Sequence, residues 1–285
     1  PRTGDIPKRP FGRTGVALTV IGPGGARLEL KRHKDAAKAH VKRAFELGSN
    51  YYDCAHSYWG GESDVVYGEA LKDVRKEVFI TSKSTQRTAE EATQELDTTL
   101  KRLKTDYVDL WQMHAVGTAE DLEKIFAPGG AIEAFEWAKQ RGKCRFIGFT
   151  GHHDPDVLLK LLETYDFFDS VLMPLHAADP SFRSFERAVL PVVRERRMAI
   201  QGMKNFGNAF LLRALNPKEC LSYVLSLPIH CTAVGCSTIG QLEEDVRIAQ
   251  DFKELDDGEM RRLRQQASKG AGALVGADLE YWKKQ

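Results

Sequence analysis

The chain has 285 residues, enough for one large domain or two small ones, and its composition is ordinary for a globular protein. It carries 41 basic and 40 acidic side chains, a formal net charge of +1, so nothing in the charge balance favours nucleic acid as a partner. No apolar run approaches the roughly 20 residues of a membrane-spanning helix, so no membrane partner is expected either.

The cysteines indicate a reduced, cytoplasmic protein. There are five, an odd number scattered without any Cys-x-x-Cys pair: Cys54, Cys144, Cys220, Cys231 and Cys236. This pattern is unlike a disulfide framework. The sequence starts at Pro1 rather than Met, which fits either a chosen start point or a removed leader.

The first predicted elements are strands. Arg9–Phe11 and Val16–Val20 flank a turn bounded by Gly12 and Gly15, which predicts a β-hairpin. A further strand then runs into the turn Gly22-Pro23-Gly24-Gly25. That turn fits a functional loop and a plain tight turn equally well.

The rest of the chain alternates short apolar strands with amphipathic helices. Asp35 is expected to cap a helix that Gly48 ends, and Thr88 with Glu91 is expected to form a capping box. The predicted strands lie at residues 20–23, 50–53, 77–83, 107–114, 144–150, 170–175, 198–203 and 231–235. The predicted helices lie at residues 35–48, 64–71, 88–103, 131–141, 154–165, 185–197, 217–227, 239–252 and 257–267.

This alternation predicts an α/β fold, a single (β/α)8 TIM barrel formed by residues 1–285. The N-terminal β-hairpin is expected to cap the barrel bottom. A doubly wound open sheet is the rival fold, but it needs a glycine fingerprint at its first helix. Gly22-Pro23-Gly24-Gly25 has the wrong spacing and contains a proline, which favours the barrel.

Ionisable side chains follow three adjacent predicted strands. Asp53, Lys83 and His114 fall at the C-terminal ends of the second, third and fourth barrel strands, and Tyr58 lies on the loop after the second. Barrel active sites lie at these strand ends, so the four side chains are expected to converge. Each alone has an ordinary explanation, as a cap, a solvated charge, a core histidine or a packing aromatic; the combination favours a catalytic site.

The chemistry of such a group follows from its residue types. Tyr58 is a poor acid at neutral pH unless a neighbouring ammonium lowers its pKa, as Lys83 could. Asp53 could hold Lys83 in place, and His114 could orient a substrate oxygen. This set suits protonation of the oxyanion formed from a carbonyl, and the hydride must come from a nicotinamide cofactor.

Several motifs make the chain similar to the aldo-keto reductase family over essentially its full length. They are Arg13-Thr14-Gly15, Tyr52–Tyr58, Gly61–Asp64, Gly68–Leu71, Asp106–Leu110, Arg145–Gly148, and Gly235 with Gln241–Asp245. The resemblance implies a catalytic tetrad of Asp53, Tyr58, Lys83 and His114. It also implies NADPH, or less often NADH, as cofactor and a small carbonyl compound as substrate.

The resemblance further implies two groups of cofactor contacts. Those at the phosphate and adenosine end are Gly235, Ser237, Gln241, Glu244 and Asp245, where a helix start suits a phosphate, although a plain helix cap explains it equally. Those at the nicotinamide end are Thr150, Gly151, Met173, Met203 and Lys204.

Several of these positions depart from the family pattern. Thr150-Gly151 replaces Ser-Asn, Met173 replaces Gln, Met203 replaces an aromatic residue, and Asp245 replaces Asn. No lysine or arginine lies near Ser237 in the sequence to bind a 2′-phosphate of the cofactor, and Lys204 or Arg247 could supply that charge instead. Weak or unusual nicotinamide binding is therefore one hypothesis.

Two other functions are open from the sequence. One is a barrel lyase that uses Lys83 as a Schiff-base amine, and the other is a non-catalytic protein on the same scaffold. Pocket-lining candidates are Trp59, His152, His153, His176 and the tail Leu274–Trp282. The histidines lack a diagnostic metal-binding spacing, so no metal is expected.

Overall fold

The computed structural model describes residues 5–28, 34–270 and 280–283 and shows a nearly closed (β/α)8 barrel. Its eight parallel strands are β3 Ile21–Pro23, β4 Tyr51–Asp53, β5 Phe79–Ser84, β6 Val108–Met113, β7 Cys144–Thr150, β8 Ser170–Pro174, β9 Ala199–Met203 and β10 Cys231–Val234. They are hydrogen-bonded in the order β3-β10-β9-β8-β7-β6-β5-β4. A parallel bridge between Gly24 and Asp53 joins the two ends of this sheet.

Ten helices are described around the strands. They are α1 Lys34–Glu46, α2 Glu62–Leu71, α3 Ala89–Leu103, α4 Ala119–Phe126, α5 Ala131–Gln140, α6 Pro155–Thr164, α7 Phe185–Glu195, α8 Pro217–Ser226, α9 Ile239–Gln250 and α10 Asp257–Gly270. The predicted alternation is confirmed.

The N-terminal hairpin closes the bottom of the barrel, as predicted. Strands β1 Lys8–Pro10 and β2 Ala17–Thr19 pair antiparallel. Phe11 and Leu18 are fully buried in an apolar cluster with the inward-facing strand residues Tyr51, Phe79, Leu110, Ala199 and Cys231. The hairpin therefore plugs the end of the barrel opposite to the strand C-termini.

Gly22 allows β3 and β4 to approach closely. A Cβ atom at this position would lie 2.1 Å from the carbonyl oxygen of Tyr51. Real side chains do not approach so closely, so only glycine fits here, and its role in closing the barrel could not be seen in the sequence.

The helix starts follow the capping residues. The Thr88 side chain accepts from the N–H of Glu91, and Asp154 accepts from the N–H of Asp156. Two predictions were incomplete. Asp35 lies inside the first turn of α1 rather than at its cap, and α4 was missed. The capping box of Thr118 with Asp121 was the available signal for α4.

The C-terminal segment is described only at residues 280–283, so most of the predicted tail Leu274–Trp282 lies outside the described residues. Lys283 is fully buried and pairs with both Asp179 and Glu280. His153 bonds through Nδ1 to the carbonyl of Trp282. These contacts fix the segment against the loops that follow β7 and β8.

The five cysteines are buried and form no disulfide. In the described parts of the chain, no helix combines the length and the apolar character needed to cross a bilayer.

Candidate active site

The four side chains of the predicted tetrad meet at the C-terminal end of the barrel. Asp53 ends β4, Lys83 lies in β5, and His114 directly follows β6. Tyr58 begins a short 3-10 turn, Tyr58–Gly61. Neighbouring parallel strands end at one edge, so residues distant in sequence become neighbours here.

Lys83 is the centre of this group. Its ammonium donates to Asp53 Oδ1 at 2.7 Å, to the Cys54 carbonyl at 2.6 Å and to the Tyr58 hydroxyl at 3.3 Å. The Thr81 hydroxyl donates to the same Asp53 oxygen at 3.1 Å. The side chain of Lys83 is fully buried and that of Asp53 is 5% exposed, so the ion pair holds the ammonium beside the phenol.

The environment keeps Tyr58 protonated. Burial raises the pKa of Tyr58 to about 12, against the opposing effect of the Lys83 ammonium. Lys83 thus acts in the predicted direction, but the prediction of a lowered pKa is wrong for the net effect because burial is stronger. Burial alone would lower the pKa of Lys83, but the Asp53 carboxylate together with Tyr58 and Cys54 outweighs it, and the pKa lies above its ordinary value.

His114 is a neutral group beside the phenol. Its ring centre lies 5.7 Å from that of Tyr58 in an edge-on arrangement. Burial, followed by the charge of Lys83, lowers the pKa of His114 to about 3. Its Nδ1 has no hydrogen-bond partner within the described residues. A neutral imidazole retains one N–H donor, so this ring can orient an oxygen acceptor.

A cavity of about 470 Å³ opens beside Tyr58 and Asp53. Its walls come from the turn after β3, the segment after β9 and the start of α9. Most of the predicted cofactor contacts line it, namely Met203, Lys204, Gly235, Ser237, Gln241, Glu244 and Asp245. The structure therefore brings these residues and the phenol together.

Three predicted cofactor contacts, Thr150, Gly151 and Met173, do not line this cavity. The Thr150 hydroxyl accepts from the N–H of Ala115 at 2.8 Å, the Gly151 N–H donates to a β8 carbonyl, and Met173 is fully buried. Hydrogen bonding and packing within the fold hold these three residues in place, and their contact with a cofactor stays a prediction.

Sequence reasoning also missed several lining residues. Arg27 and Asn208 line the cavity and bond to each other at 3.1 Å. Of the pocket candidates, His152 lines the cavity, whereas Trp59, His153 and His176 do not. The sequence feature that could have indicated Arg27 is its position shortly after the glycine-rich turn that follows the first barrel strand.

No group of His, Cys, Asp or Glu side chains able to hold a metal ion occurs within residues 5–28, 34–270 and 280–283. A larger cavity, of about 910 Å³, lies at the hairpin end and is lined by residues such as Arg9, Arg13 and Arg197. It contains none of the predicted tetrad, so the smaller cavity is the candidate active site.

The hydrogen-bond donors and positive charge around the smaller cavity suit a nicotinamide dinucleotide. Arg27 brings positive charge to its wall. At the start of α9 the Ser237 N–H donates to the Gln241 side chain at 2.9 Å. The N–H groups of Ile239 and Gly240 have no acceptor in the described part of the chain. Free N–H groups at a helix start suit a phosphate.

Comparison with known proteins identifies the family. The model of the Aldo/keto reductase family matches residues 20–219, which is more than half of the chain. The chain belongs to the aldo/keto reductase family.

Individual relatives are distant and are matched in part. The chain is 28% identical over 209 residues to the uncharacterized oxidoreductase YqkF of Bacillus subtilis, covering 68% of this chain and 62% of that protein. It is 32% identical over 158 residues to L-galactose dehydrogenase of Arabidopsis thaliana, covering 51% and 49%. The chain thus spans less than two thirds of the length of either relative.

A solved structure confirms the fold. The aldo-keto reductase of Klebsiella pneumoniae in complex with NADPH superposes with a TM-score of 0.74 at 20% identity, over 90% of this chain and 93% of that one.

Proposed function

We propose that this protein reduces an aldehyde or ketone to an alcohol with NADPH or NADH, and that Tyr58 is the proton donor. The observation that carries the proposal is the hydrogen-bonded row from Asp53 through Lys83 to Tyr58 at the cavity wall. Family membership supports it, as does the NADPH complex of the Klebsiella protein.

The chemistry needs one hydride and one proton. When bound, the cofactor supplies the hydride to the carbonyl carbon and is itself oxidised. The carbonyl oxygen takes the negative charge, and the Tyr58 hydroxyl gives it a proton. An alkoxide is a stronger base than a phenolate, so this transfer is favourable even from a phenol with a pKa of about 12. Solvent then reprotonates the phenolate.

The other members of the tetrad have supporting roles. The Lys83 ammonium stabilises the phenolate that Tyr58 becomes, and Asp53 keeps that ammonium charged and in place. His114 orients the carbonyl oxygen with a neutral N–H, because its lowered pKa keeps it uncharged near neutral pH.

The proposal is tested by following cofactor oxidation with a simple aromatic aldehyde. Tyr58→Phe should lower kcat by at least about 100-fold while cofactor affinity stays within about threefold, because one hydroxyl is removed and the aromatic ring remains. Tyr107→Phe is the matched control, since Tyr107 lies before β6, away from the cavity. Unchanged turnover in Tyr58→Phe would contradict the assigned role.

The Schiff-base lyase loses support from the structure. A Schiff base needs an uncharged amine, but the pKa of Lys83 is raised and its ammonium is paired with Asp53. Borohydride trapping of a carbonyl compound on Lys83 would revive this alternative.

A barrel protein with weak or no nicotinamide turnover is the second candidate. It is favoured by one observation: Thr150, Gly151 and Met173 do not line the cavity. Titration of tryptophan fluorescence with NADPH and NADH separates the two candidates. Tight, saturable binding would remove this second candidate, and absence of binding would remove the first.

A further inference from the structure

Lys204 is a partly buried cation that has no anionic partner among the residues that the structure describes. It follows β9 and lines the cavity that contains Tyr58. Within the described residues its ammonium makes no hydrogen bond and no ion pair, and it lies 4.8 Å from the centre of the Trp282 ring. An ammonium has three N–H donors, and an aromatic face does not replace their hydration. In the described part of the chain, Lys204 therefore has no counterion.

The surroundings of Lys204 are positive or neutral. Burial lowers the pKa of Lys204 to about 8, and the charge of Arg27 adds to this effect. Lys204 in turn contributes to the lowered pKa of His152 and of His114. The rings of His152 and His114 lie 5.9 Å apart, and His114 faces Tyr58. The unpaired ammonium therefore shares the reacting end of the cavity with the tetrad.

Among the described residues, the carboxyl groups that line the cavity either bind other partners or form no ion pair with Lys204. Asp53 is paired with Lys83, and Asp245 accepts from the Cys236 thiol at 3.1 Å. Glu244 is exposed and forms no ion pair with Lys204 among the described residues. Among residues 5–28, 34–270 and 280–283, no group neutralises Lys204, so its ammonium is available to an anionic ligand.

We propose that Lys204 binds a carboxylate of the substrate, so that the preferred substrates are small aldehyde or keto acids. This inference rests on the proposed function. One unpaired ammonium matches one singly charged carboxylate, and charge-assisted hydrogen bonds are the strong ones in a partly dry site. The neutral imidazole of His152, which lines the same cavity, can donate to the remaining oxygen.

The test compares 4-carboxybenzaldehyde with its methyl ester, which present the same aldehyde with and without the charge. Wild type should prefer the acid, and Lys204→Met should reduce the ratio of kcat/KM for acid over ester by roughly 10- to 100-fold, the usual loss for a bond to a charged group. Lys204→Arg should restore part of the ratio. Lys253→Met, at an exposed lysine outside the cavity, is the control. An unchanged ratio in Lys204→Met would overturn the inference.

A binding measurement separates this inference from the proposed function. Benzoate should change the fluorescence of Trp282, which lies against Lys204, and Lys204→Met should weaken benzoate binding by about tenfold or more. If wild type reduces neither aldehyde but binds benzoate through Lys204, the proposed reduction fails and the anion site stands. Equal benzoate binding in both proteins would reject the site.

A cofactor phosphate is the rival anion for Lys204. The dissociation constants of NADPH and NADH are therefore measured for wild type and Lys204→Met. We expect both constants to stay within about threefold of the wild-type values, because a residue that binds a substrate carboxylate does not bind the cofactor. A selective loss of NADPH affinity would assign Lys204 to the 2′-phosphate, an equal loss for both cofactors would assign it to the diphosphate, and either result would overturn the proposal.

Discussion

The ion pair between Lys83 and Asp53 gives the sharpest prediction about the energetics of the site. At 2.7 Å two unit charges attract by about 6 kcal/mol when the effective dielectric constant is about 20. In Lys83→Met the Asp53 carboxylate would stay buried with the Thr81 hydroxyl as its remaining hydrogen-bond donor. An unpaired buried charge costs about 3–5 kcal/mol, so we expect the free energy of unfolding to fall by that amount.

The assay is urea denaturation followed by fluorescence. The slope of the unfolding free energy against urea concentration is compared between the variants and wild type, to check that they unfold in the same way. The double variant Lys83→Met/Asp53→Leu leaves no charge unpaired. Its loss of unfolding free energy should therefore be about 3 kcal/mol smaller than the sum of the losses in the two single variants. Lys160→Met is the control, since its pair with Glu163 is about two-thirds exposed and should contribute under about 1 kcal/mol. Additive effects of the two single changes would refute the reasoning.

Three further predictions concern pH, a second buried carboxylate and barrel closure. Reduction of an uncharged aldehyde should show no inflection between about pH 5 and pH 7, because Tyr58 stays protonated below its pKa of about 12, His114 stays neutral above its pKa of about 3, and Lys204 titrates only near its pKa of about 8. An inflection near pH 6.5 in the pH–rate profile would show that the histidine titrates normally. Asp109→Ala should lower the unfolding free energy by about 3 kcal/mol in urea titrations, since this buried side chain binds two arginines and a backbone N–H; a loss below about 1 kcal/mol would contradict that. Gly22→Ala should cost more than about 2 kcal/mol by thermal unfolding, whereas Gly24→Ala, with 3.4 Å to its nearest atom, should cost less; equal costs would argue against the close approach.

The architecture could be predicted because its causes are local and repeated. Strands buried on both faces leave short apolar runs, and each helix leaves an amphipathic stripe with a cap. The tetrad followed from this fold, because Asp53, Lys83 and His114 each stand at a predicted strand end. Helix α4 was missed although Thr118 and Asp121 form a capping box, since no strand separates it from the next helix.

The features that could not be predicted from the sequence depend on burial and on contacts between residues that are distant in the chain. The pKa of Tyr58 could not be given its correct sign, because the loss of hydration outweighs the Lys83 charge and appears only in the folded site. The partner of the Thr150 hydroxyl, the N–H of Ala115 after the neighbouring strand β6, also could not be read from the sequence. Arg27 was overlooked since its proximity to Asn208, 181 positions later, is purely tertiary.

The most direct test of the central claim is transfer of deuterium from the cofactor. The protein is incubated with an aldehyde and NADPH or NADH deuterated at the transferring C4 position of the nicotinamide, and the alcohol is analysed by mass spectrometry. The account predicts one deuterium at the carbinol carbon in wild type and almost no product in Tyr58→Phe. Product formed without deuterium, or formed equally well by Tyr58→Phe, would contradict it.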